Sequence, residues 1–203
     1  WTPDELEILL ANVEDKHRAW LACAAFAGIR TEELCPSPSS KKSPLMWEDF
    51  DWPASIIRIR PETDKNGRRR IIPILPALKD ALQGVKQDGG RVGAAAAPTT
   101  APKGGAMAET TRLGKLVGGW KRNALRHSFI SYRAAVVGIA KAAAEAGNSE
   151  SESRKSYQDA KSPDEGVRWF SVRAKCSPNV PPQNLGTNPS LSLTDGETPT
   201  NPD

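Results

Sequence analysis

Asn123-Ala124-Leu125-Arg126-His127-Ser128-Phe129-Ile130-Ser131-Tyr132 is the stretch from which the rest of the chain can be read. It predicts a helix over Leu125–Ala135 that opens with an amide side chain and a guanidinium and carries a phenol six residues after the guanidinium. Gly147-Asn148-Ser149 follows a second predicted helix, Gly138–Ala146, with Gly147 at its C-cap. Tyr157 comes next, in a short polar helix predicted over Glu150–Tyr157. A cation, two amides and a phenol are thus gathered in one part of the chain.

Two upstream stretches belong with it. Ala27-Gly28-Ile29-Arg30-Thr31-Glu32-Glu33-Leu34 closes a helix predicted over His17–Ala27 and delivers Arg30 to the start of the next. Asp64-Lys65-Asn66-Gly67-Arg68-Arg69-Arg70-Ile71-Ile72-Pro73-Ile74 reads as a turn and a strand. Strands are predicted over Ser55–Arg60 and Arg69–Ile74, and Asn66-Gly67 between them is a strong hairpin signal.

The remaining elements follow from local signals. Thr2-Pro3-Asp4-Glu5 is a capping box, and Leu6, Leu9, Leu10 and Val13 mark one helical face behind it. Ser162-Pro163-Asp164-Glu165 is a second capping box, opening a helix to about Phe170. Short helices are predicted over Pro76–Leu82 and Ala108–Val117. Residues 35–46 and 87–106 read as loop insertions, the first an unstructured bulge and the second a flexible Gly-, Ala- and Pro-rich loop. One domain spans 1–172, and 173–203 is a disordered tail too poor in apolar residues to bury.

With 203 residues, a net charge of +4 and a pI near 9.0, the chain is mildly basic. Local clusters say more: Arg68, Arg69 and Arg70 are consecutive, and Lys121, Arg122, Arg126 and Arg133 crowd the motif, as phosphate neutralisation requires. Three cysteines without CxxC spacing argue against a disulfide framework or a zinc site and fit a reducing cytosol. No apolar run reaches the roughly 18 residues of a membrane span. No signal peptide opens the chain, which begins abruptly at a helix start, as a fragment does.

In order, Gly-Ile-Arg-x-x-Glu-Leu, a hairpin lysine, x-x-Leu-Arg-His, Gly-x-Ser and a late tyrosine resemble the catalytic domain of the tyrosine recombinase (phage integrase) family, over about Trp1–Ser171. The resemblance implies an α+β fold, mainly α-helical with a small antiparallel sheet, of the DNA breaking and rejoining type. It implies a catalytic set of Arg30, Lys65, Asn123, Arg126, Asn148 and Tyr157, with no cofactor and no metal. Arg30 and Arg126 would clamp one phosphate, since the guanidinium fork meets two oxygens and keeps its charge. Lys65 would donate a proton to the leaving 5′ oxygen, and Tyr157 would form a 3′-phosphotyrosine bond.

The chain departs from the commonest family pattern at two places, where histidines usually stand and this sequence has Asn123 and Asn148. An amide can donate to a phosphate oxygen but cannot exchange a proton at neutral pH. The same replacement at both sites favours a subfamily variant over decay. His127 is expected to be buried and structural, His17 solvated, Tyr132 a packing or hydrogen-bonding residue, and Glu33 a group that steadies the arginine site.

The leading expectation is a site-specific recombinase acting on double-stranded DNA in the prokaryotic cytoplasm, assembling as a tetramer on DNA, with no membrane partner. A catalytically impaired DNA-binding relic is the alternative, and a type IB topoisomerase the third reading. The family's DNA-clamping helical domain has no counterpart in this chain.

Overall fold

A computed structural model describes residues 1–37, 39–93, 106–121, 123–149, 151 and 161–173. The architecture is mixed α+β: helices around a main core and a smaller cluster of Phe129, Ile130 and Ala146, with a three-stranded antiparallel sheet.

Helix α1 (Pro3–Asn12) starts with the reciprocal cap its sequence predicts. The Glu5 amide donates to Thr2 Oγ1 at 3.2 Å, and the Thr2 amide donates to Glu5 Oε2 at 2.7 Å. Leu6, Leu9, Leu10 and Val13 are all buried, so the face read from their spacing is the packed one.

Helix α2 (Asp15–Phe26) is the centre of the core, in contact with α1, α3 (Thr31–Leu34), α4 (Pro76–Ala81) and α6 (Ala124–Val137). Its run of alanines lets these neighbours approach closely. Because α2 is covered on most sides, His17 is buried, contrary to the solvated position expected.

The sheet runs β1 (Phe50–Asp51), β2 (Ile56–Ile59), β3 (Arg70–Pro73), in that order. Ile57 and Ile59 face the core, Arg58 faces out, and Ile57 pairs with Ile72 and Ile59 with Arg70. The Asn66-Gly67 pair is not a two-residue hairpin turn. It ends a four-residue turn, in which the Gly67 amide donates to the Asp64 carbonyl at 3.2 Å, inside a longer loop spanning 60–69. The Asp64 carboxylate holds that loop by accepting from the amides of Asn66 (2.8 Å) and Arg68 (3.2 Å), so the turn closes on a side chain and not on the strand ladder.

Within the described parts of the two insertions, residues 43–46 and 90–92 are more fixed than composition suggests. Leu45 is fully buried, its amide donates to the Glu33 carbonyl, and the Ser43 amide donates to the Glu62 carbonyl. Met46 bridges Arg91 in antiparallel fashion, and Val92 is buried with its amide on the Leu45 carbonyl. The two loops thus fasten each other, which composition alone could not reveal. Residues 94–105 of the second lie outside the described residues, as do residues 174–203 of the tail.

Helices α5 (Ala106–Gly114), α6, α7 (Ile139–Ala146) and α8 (Pro163–Trp169) complete the fold. A buried ion pair, Arg133 to Glu145 at 2.8 and 3.0 Å, ties α6 to α7. Arg133 is therefore an internal strut and not part of a basic surface. Trp169 is fully buried: it stacks on Tyr132 with ring centroids 4.6 Å apart and donates its indole N–H to the Ala25 carbonyl at 3.0 Å. Among the described residues no helix is long and apolar enough to cross a membrane.

Candidate functional site

Arg30 is the N-cap of α3, placed there by the break at Gly28, whose φ of +61° ends α2. Arg126 lies in the first turn of α6, and Asn148 follows the left-handed C-cap of α7 at Gly147. These three meet. Asn148 Oδ1 accepts from Arg126 Nη2 at 2.7 Å and from Arg30 Nη2 at 3.2 Å. Arginine has only donors, so the amide oxygen must face the guanidiniums and Nδ2 must face away. Arg126 Nη1 also donates to the Gly28 carbonyl, tying α6 to the loop that carries Arg30.

Two carboxylates complete the cluster. Arg30 Nη1 donates to Glu33 Oε1 at 2.9 Å and to Asp64 Oδ1 at 3.3 Å, while its Nη2 also donates to the Gly147 carbonyl at 2.7 Å. Arg70 joins the same pair: Nη2 to Glu33 Oε2 at 2.6 Å, and Nη1 to Asp64 Oδ1 at 2.6 Å and Glu33 Oε1 at 3.0 Å. Glu33 is buried, as a group that orients arginines should be. Three guanidiniums against two carboxylates leave an excess of one positive charge.

Burial alone would raise the pKa of Asp64. The amides of Arg68 and Asn66 and the charges of Arg70 and Arg30 outweigh it, so the carboxyl is held below its ordinary range and is ionised at neutral pH.

Arg70 and Asp64 are the residues that sequence reasoning missed. The sequence places Arg70 in one basic run with Arg68 and Arg69, but its side chain is only 7% exposed, while Arg68 and Arg69 are exposed. The signal was present. Strand side chains alternate, and Ile72 points inward, so Arg70 shares its face. Asp64 carried a weaker signal: an aspartate two residues before an Asn-Gly pair commonly binds the turn's own amides.

Lys65 is exposed at the second position of the Asp64–Gly67 turn, and makes no ion pair among the described residues. Asn123 is exposed at the N-terminus of α6, in the left-handed region with φ +57°. It lines a cleft with Arg126, Thr31, Trp20 and Trp120, and the two indoles stack with centroids 5.8 Å apart. Tyr157 lies outside the described residues. Tyr132 is buried and donates to the Trp1 carbonyl at 3.1 Å, a packing and hydrogen-bonding role as expected.

His127 is exposed, not buried as expected, because the buried face of α6 runs through Leu125, Ser128, Phe129, Tyr132 and Arg133 at helical spacing and His127 lies off it. Partial desolvation of its ring, and then the adjacent Arg126 charge, lower its pKa from 6.5. Cys23 is buried, and burial pushes its thiol pKa up; the same cause takes Cys35 to about 11. Neither is a reactive thiolate. Among the described residues no group of acidic, histidine and cysteine side chains could hold a metal ion.

Compared with protein-family models, with curated proteins and with solved structures, the chain matches none.

Proposed function

We propose that this chain is the catalytic domain of a tyrosine-type site-specific recombinase, with the α+β fold of the phage integrase catalytic domains. It cuts and rejoins double-stranded DNA as part of a tetramer assembled on that DNA, in a prokaryotic cytoplasm. The observation that carries this reading is the shared acceptor Asn148 Oδ1, which draws Arg30 and Arg126 to one point from α3 and α6. Two fixed cations at one point suit a phosphate that gains charge at its transition state.

In this reading Arg30 and Arg126 hold the nonbridging oxygens, Lys65 protonates the leaving 5′ oxygen, and Tyr157 takes the 3′ phosphate. Asn123 and Asn148 stand where histidines are usual and supply hydrogen bonds without proton exchange. Energy kept in the phosphotyrosine bond lets a second DNA end reverse the step, so no nucleotide cofactor is required.

One observation favours the second reading, a DNA-binding relic. Both terminal nitrogens of Arg30 are already engaged, with Glu33, Asp64, Gly147 and Asn148. A phosphate must displace at least one of them.

The test is incubation with a nicked duplex, from which the released strand diffuses away and traps a covalent adduct. The unmutated chain should form one. Tyr157→Phe should form none while binding DNA with nearly the same affinity, and Tyr132→Phe should remain active. An unmutated chain that binds DNA but forms no adduct supports the relic.

A further inference from the structure

We propose that Asp64 is a positioning residue for Lys65: it bolts the lysine loop to the arginine cluster and so fixes where the ammonium acts. This rests on the recombinase reading above. The proposal comes from how one carboxylate divides its two oxygens. Oδ2 accepts from the amides of Asn66 at 2.8 Å and Arg68 at 3.2 Å, both in the loop. Oδ1 accepts from Arg70 Nη1 at 2.6 Å and Arg30 Nη1 at 3.3 Å, both outside it.

A simpler account makes Asp64 a turn former and nothing else. That account explains Oδ2 but leaves Oδ1 without a reason, because a turn does not need a buried bond to two arginines. A carboxylate that is 3% exposed and shared between loop amides and guanidiniums joins two bodies. Lys65 lies between the anchored residues Asp64 and Asn66, with its Cα about 3.8 Å from each neighbour's. Its backbone is held on both sides while its side chain is exposed, so the freedom left to it is rotation of its own stem.

The step it serves balances as follows. The Tyr157 phenol loses its proton to water and its oxygen bonds to phosphorus. The bond from phosphorus to the 5′ oxygen breaks, and Lys65 Nζ gives a proton to that oxygen, which leaves as a 5′-hydroxyl. A leaving group that departs without a proton does not need the lysine. A 5′-bridging sulfur is such a group, since a thiol has a pKa of about 8.5.

Asp64→Asn is a selective probe. The asparagine oxygen can still accept from the loop amides, but its NH2 turns donors toward guanidiniums that have only donors. The turn survives and the tie is cut. Nicked duplexes carrying oxygen or sulfur at the cleaved bond are compared on the full chain. With oxygen, adduct formation should slow about tenfold in Asp64→Asn and about a hundredfold in Lys65→Ala, within the range of general acid catalysis. With sulfur, both should return to within a few-fold of the unmutated rate, whereas Arg126→Ala should stay slow on both.

A defect in Asp64→Asn that sulfur does not rescue, or no defect at all, overturns the proposal. Should Asp64→Asn fail to fold, Asp64→Glu keeps the charge on a longer arm and should show the same rescue. Hydrogen exchange separates this inference from the reading beneath it. Exchange across residues 64–69 should rise in Asp64→Asn while α2 and α6 are unchanged. Unaltered exchange overturns the anchoring even in a protein that cleaves. Raised exchange in a chain that forms no adduct on either duplex leaves the anchor standing, but overturns its role in catalysis together with the recombinase reading.

Discussion

Asn148 accepts a hydrogen bond from Arg126 at 2.7 Å through the same oxygen that it offers to Arg30. That single atom sets the spacing of the two cations. Asn148→Leu removes it and leaves guanidinium N–H groups unmet in a half-buried site, at a cost of about 1–3 kcal/mol. Asn148→Asp instead places a charge between the guanidiniums, which strengthens both bonds and cancels the site's one excess positive charge. The aspartate variant should therefore melt higher and bind DNA more weakly, by thermal melting and fluorescence anisotropy. A variant that gained on both measures would show that DNA does not meet these arginines.

Asn123 has a backbone reason to be asparagine as well as a chemical one. Its φ of +57° lies in the left-handed region, where Asn, Asp and His are enriched among residues other than glycine. Asn123→His should fold normally and keep or raise adduct formation, because imidazole can move a proton near pH 7. Asn123→Val should lose roughly 1–2 kcal/mol in a denaturant titration from backbone strain alone. Equal stability of the two variants would remove the conformational argument.

Gly28 supports the site from below. Its φ is +61°, and a Cβ there would lie 2.3 Å from Cδ1 of the fully buried Phe129 ring. Gly28→Ala combines overpacking with a left-handed alanine, together about 2–5 kcal/mol. Since the Gly28 carbonyl also receives Arg126, DNA affinity should fall along with the denaturation midpoint. Full retention of stability would mean that the Gly28–Phe129 contact can relax.

Acid should unfold the protein through its carboxylates. Asp64 and Glu109 are both held below their ordinary range: burial opposes this in each, but the Asn66 and Arg68 amides with two arginines prevail at Asp64, and Arg112 with the Glu14 amide prevails at Glu109. A depressed folded pKa gives stability that is complete above the unfolded value and is lost as pH falls through the folded one. His127, lowered from 6.5, acts in the same direction and begins to count just below that pH. The melting temperature should decline slightly below about pH 6.5 and steeply below about pH 4. Asp64→Asn should flatten the steep part, and an unchanged slope would show that Asp64 is not among the groups responsible.

Much of the fold was determined by the sequence itself. The Thr2 and Ser162 capping boxes, the leucine face of α1, the glycine stop after α2 and the Gly147 cap of α7 all depend on groups a few residues apart. Such signals survive without tertiary context, and so did the pairing of Arg30 with Glu33, three positions away. Tertiary structure decided what sequence distance hides. Arg70 turns inward because β3 presents that face to Glu33 and Asp64, and Arg133 is internal because α7 brings Glu145 against it. Residues 45–47 are pinned because residues 90–92 pass beside them. In each case a charged or irregular segment looks solvated when read alone. Its burial is stable only once a partner from elsewhere in the chain supplies the opposite charge or the missing hydrogen bond.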